Sequence, residues 1–99
     1  MTEYINSNPD RVELLHMLGD PKINEEELLS LSNVFRAHIE ATSRLSSSVL
    51  QSSETKKQAK ESMETSLRSA LDMGVDPTLV IRAKSLGIKA AEHYVKLDI

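Results

Sequence analysis

KINEEELLSLSNVFRAHIEATSRLSSSVLQSSETKKQAKESMETSLRSALDM, residues 22–73, contains neither glycine nor proline. Those two residues interrupt helices more strongly than any others. A stretch this long, written mostly in Glu, Leu, Ser, Ala, Arg and Lys, reads as one long helix or as two helices folded back on each other. The chain is therefore expected to be all-α: a small bundle of three to four helices around a long central helical hairpin, in one domain spanning 1–99.

Within the stretch, Asn24 is placed to cap a helix with Glu27 three residues on, an Asn variant of the capping box. The acidic triplet Glu25-Glu26-Glu27 then decorates the positive end of a helix dipole. Leu28, Phe35, Thr42 and Val49 fall seven residues apart, and Leu31, His38 and Leu45 fall between them. Val34 and Ile39 widen the stripe. This is the spacing of an a/d seam, with His38 and Thr42 as a polar break in its middle. Ala59, Met63, Leu67, Ala70 and Leu71 make a second apolar register. Serine is a middling helix former that readily bonds nearby backbone. The serine-rich stretch Ser46–Ser53 thus predicts a tight hairpin near Gln51–Glu54, with helices over about 25–51 and 54–73.

Outside the stretch, Asn8-Pro9 signals a short helix over about 9–18, with Val12, Leu14, Leu15 and Leu18 as its apolar residues and Gly19 just past its end. Gly74 followed by Val75 has the Schellman pattern. Asp76-Pro77 restarts a helix to about residue 96, with Leu79, Ala83, Leu86, Ala90, Tyr94 and Leu97 at helical spacing. Gly87 is a candidate bend.

Composition narrows the function classes. The net charge is −3, the hydrophobic share 39%, aromatics 3%, and there is no cysteine. An acidic balance argues against constitutive binding to duplex DNA, whose affinity comes from Lys and Arg meeting phosphates. The absence of cysteine excludes a disulfide framework and thiol catalysis. No run of apolar residues is long enough for a membrane span, and the N-terminus lacks a basic stretch followed by an apolar one. A cytoplasmic location is the expectation.

No catalytic, metal or nucleotide motif is present. His16, His38 and His93 lie on different predicted helices with no ligand spacing, and the three glycines are too scattered for a phosphate loop. Lys56, Lys57 and Lys60 are interleaved with Glu54, Glu61 and Glu64, as on a solvated helix face. Met63 and Met73 could line an adaptable groove, although Met at helical spacing commonly fills a core. No cofactor is expected.

The function these features suggest is a non-enzymatic protein–protein interaction module of adaptor, chaperone, inhibitor or anti-factor type. Its partner is another protein, and it is expected to form a homodimer or higher assembly. The seam Leu28, Leu31, Phe35, His38, Ile39, Thr42, Leu45 and Val49 is the expected contact, because it exceeds what a lone small bundle needs. The alternative is a DNA-binding regulator. Residues 77–96 carry Ala83, Gly87 and Ile88 at helix-turn-helix spacing, and Arg82, Lys84, Lys89 and Lys96 make this end locally basic. Arg82 and His93 stand where that motif wants apolar residues.

Burial of His38 in the seam would disfavour its charged form and lower its pKa below about 6.5. The fold or its assembly should then weaken between about pH 6.5 and 5.

Overall fold

The computed structural model describes residues 6, 8–46 and 53–97, and the side chains of 6, 8–45 and 54–92 within them. Four helices and no strand occur among the described residues: α1 (Arg11–Met17), α2 (Glu25–Ser46), α3 (Ser53–Asp72) and α4 (Pro77–Leu97). Among the described residues, no helix is long and apolar enough to cross a membrane. Val49 and the hairpin turn expected from Gln51 lie at the edge of, or outside, the described residues.

Each helix starts and stops for local reasons. The cap of α1 is Asp10, not Asn8: the Asp10 carboxylate accepts from the Glu13 amide at 2.9 Å. The Asn8 amide is instead taken by the Asn6 side chain at 3.0 Å, and Pro9 is buried just ahead of the cap. At α2 the expected box forms in full. The Glu27 amide donates to Asn24 Oδ1 at 2.8 Å, and the Asn24 amide donates to Glu27 Oε1 at 3.3 Å.

Helices α1 and α3 both end in Schellman turns. Gly19 and Gly74 each adopt φ +90°. The Asp20 amide returns to Leu15 O at 2.9 Å and the Val75 amide to Ala70 O at 3.1 Å. Asp76 then caps α4 through the Thr78 amide at 2.9 Å.

Helix α2, 22 residues and thus about 33 Å long, is the spine. α3 returns along one side of it, so that Ser30 Oγ near the start of α2 meets Met73 Sδ just past the end of α3 at 2.9 Å. α4 packs on α2 far more extensively than on α3. The core lies between them and α1: Leu14, Leu18, Leu31, Val34, Phe35, Ala70, Val75, Val80, Ala83 and Ala90 are buried.

The contact between α2 and α4 is close. Ala83, Gly87 and Ala91 repeat every four residues on one face of α4, and all three are buried. A Cβ built on Gly87 would lie 2.5 Å from Phe35 O and 3.0 Å from the His38 Cβ. Gly87 is thus not a turn between two helices. It lies inside a continuous helix and lets the α2 backbone come within contact. This removes the turn on which the helix-turn-helix reading of 77–96 depended.

Candidate interaction face

The seam expected to meet a partner is largely consumed by the chain itself. Leu31, Phe35 and His38 have no exposed surface within the single chain. Leu28, Ile39, Thr42 and Leu45 are half-buried, and Val49 lies outside the described residues. The seven-residue spacing located a real apolar stripe, but α4 covers it. A partner could reach Leu31, Phe35 or His38 only if α4 left.

His38 is the buried polar residue of this stripe. Its Nδ1 hydrogen-bonds to Val34 O at 2.7 Å, one turn back on the same helix, rather than to Thr42. Its Nε2 is buried without a hydrogen-bond partner. Burial holds the imidazole pKa below its usual value; the bond to Val34 opposes this, and the charge of Lys84 adds to the lowering.

The basic residues of the alternative reading are brought together only in part. Arg82 Nη1 donates to Leu18 O at 2.7 Å and so caps the end of α1 from α4. Lys84 and Lys89 line a shallow cleft of about 520 Å³ with Ile81, Ser85, Ile88 and Glu92, in which an acidic residue shares the lysines' face. The Lys96 side chain lies outside the described ones.

A different face of α2 is open. Asn33 and Phe35, two residues apart, point to nearly opposite sides of the helix, so Asn33 faces away from the core. Asn33 lines two adjoining grooves. One, of about 540 Å³, runs between α2 and α3 past Ser30, Ala37, Gln58, Ser62, Thr65 and Ser69. The other, of about 470 Å³, runs between α1 and α2 past Arg11, Leu14, Leu28, Leu29, Ser32 and Arg36.

Leu29 is 63% exposed at this face and Met73, beside Ser30, is 44% exposed. The Arg11–Glu25 ion pair at 3.2 Å spans the rim of the second groove, with both side chains largely in solvent. Short hydroxyl and amide side chains leave room for a partner backbone and offer it hydrogen bonds.

Leu29, Ser30 and Asn33 were not singled out in the sequence, because Leu29 falls outside the heptad stripe and the others carry no chemical signature. The absence of turn residues around Gly87 was the available sign of a close helix crossing. No group of three or more His, Asp or Glu side chains suited to a metal ion occurs among the described residues. Compared with protein-family models, with curated proteins and with solved structures, the chain matches none.

Proposed function

We propose that the chain is a non-enzymatic protein–protein interaction module that receives a partner on the outward face of α2, between α1 and α3. The observation that carries this reading is Leu29, 63% exposed in the α1–α2 groove, which adjoins the α2–α3 groove at Asn33. An exposed aliphatic anchor set among small polar side chains suits an amphipathic helix, which would bury its apolar stripe on Leu29 and bond its flanks to the Ser and Thr hydroxyls. A second copy of the chain is among the partners this face would take. Adaptor, chaperone, inhibitor and anti-factor roles all use such a surface.

A photo-crosslinking residue at Ser32, compared with one at Lys89, tests the face. A discrete adduct from position 32, absent from position 89 and lost on Leu29→Asp, is the expected result. Equal capture from both positions, or none from 32, would overturn the assignment.

A further inference from the structure

We propose that the α2–α4 crossing is an acid-released latch, in which uptake of one proton at His38 lets α4 part from α2 and uncovers Leu31, Val34 and Phe35. The surface so exposed differs from the outward face of α2, and this inference does not rest on that reading.

The latch is built from three observations. The first is the tautomer. Val34 O can only accept, so the 2.7 Å bond places the imidazole hydrogen on Nδ1 and leaves Nε2 as a bare lone pair. A buried lone pair without a partner is tolerable. A buried N–H bearing a positive charge without an acceptor is far costlier, and Nε2 has no acceptor within reach.

The second is the charge around it. Lys84 of α4 is the cation that acts on His38. Every ionisable side chain of α3 from Glu54 to Asp72 is exposed, as are Arg36, Glu40 and Arg44 on α2 itself. A protonated His38 would therefore face a like charge on the helix packed against it; Glu92 on that helix is exposed, and no buried carboxylate occurs among the described residues.

The third is the lack of slack. A Cβ at Gly87 would lie 2.5 Å from Phe35 O and 3.0 Å from the His38 Cβ, so the two helices cross with no room for even a methyl group between them. Solvating the imidazolium requires the helices to separate. α4 is held mainly by the α2 crossing itself and by the Arg82 bond to Leu18 O of α1, and packs only slightly on α3. It is joined to α3 through Gly74, whose φ is +90° and whose surroundings are open.

One linked proton sets the slope. The opening equilibrium should rise by at most tenfold per pH unit below about 6.5, flattening once His38 titrates in the closed form. Amide hydrogen exchange followed by NMR from pH 7.5 to 4.5, corrected for the intrinsic chemistry of exchange, reads this directly. We expect the α4 amides of residues 80–91 to lose protection with that slope, ahead of the α3 amides of residues 59–70.

In His38→Leu the slope should vanish. Should that variant not fold, Lys84→Gln, altered only at an exposed side chain, carries the test. Removing the repelling cation should make the rise smaller and bring its plateau to higher pH. Simultaneous loss of protection in α3 and α4, an unchanged slope in His38→Leu, or an unchanged profile in Lys84→Gln would each overturn the latch.

Discussion

At the residue scale, Gly87 separates local preference from tertiary demand. Helix propensity alone favours Gly87→Ala by about 1 kcal/mol. The added methyl, however, would meet the Phe35 carbonyl at 2.5 Å, and backbone cannot swing aside as a side chain can. We expect Gly87→Ala to destabilise by about 1–3 kcal/mol in urea titration; a gain in stability would mean that α2 and α4 stand further apart. Phe35→Ala should cost about 3–5 kcal/mol, as for a fully buried ring.

His38 has a sign as well as a size. Its folded-state pKa is lowered, so at mildly acidic pH the unfolded chain binds more protons than the folded one. The stability linked to its neutral form is fully present above about pH 6.5, and falls as pH drops through that value towards the lowered one. A urea midpoint that holds constant from pH 7 to 5 would contradict this burial. The sequence placed His38 on the apolar stripe, but it could not show which atom bonds the backbone and which is left without a partner.

At the scale of elements, the helices were legible because their signals are local. Asn24 with Glu27, Gly74 with Val75, and Asp76 with Pro77 all act where the sequence put them. Asn24→Ala should cost about 1 kcal/mol through the lost cap. α1 is a different case. With seven residues it is too short to persist alone, and its cap falls at Asp10, whose carboxylate takes the Glu13 amide. Leu14 and Leu18 dock it on the core, whereas Val12, on the expected stripe, is 76% exposed.

The far end of α1 is closed from another helix, by Arg82 on Leu18 O. That bond spans 64 residues, and nothing near Arg82 announces it. Arg82→Ala should loosen α1 by about 1 kcal/mol, a charge-assisted bond partly screened by solvent. Faster amide exchange at Leu18–Asp20 with α2 unchanged is the expected record.

At the scale of the whole molecule, the four helices, of 7, 22, 20 and 21 residues, imply a far-ultraviolet circular dichroism spectrum with more than ~60% helix. The expectation of a dimer began from a seam too apolar for one chain, yet α4 closes that seam around Leu31 and Phe35. Self-association, as proposed, therefore uses the outward face. Leu29→Asp, at an exposed site, should leave the melting temperature within the range of surface changes, about ±0.5 kcal/mol. It should nonetheless return the mass by light scattering to the 11.0 kDa of one chain. A wild type already at that mass at tens of micromolar removes self-association, leaving the crosslinking experiment to decide the partner face.

What the sequence by itself determined is the set of features built within a few residues: helix content, most caps, the Schellman turn at Gly74 and the apolar stripe of α2. Hydrogen bonds between near neighbours and a 3.6-residue period make those readable along the chain. Only the tertiary structure decided which stripe meets which. It laid the α4 face of Ala83, Gly87 and Ala91 on Phe35 and His38, sent Arg82 to the end of α1, and left Leu29 uncovered on the far side. Periodicity records that a face is apolar. It does not record whether the chain's own helix or another molecule will cover it, because that depends on backbone distances between segments far apart in sequence.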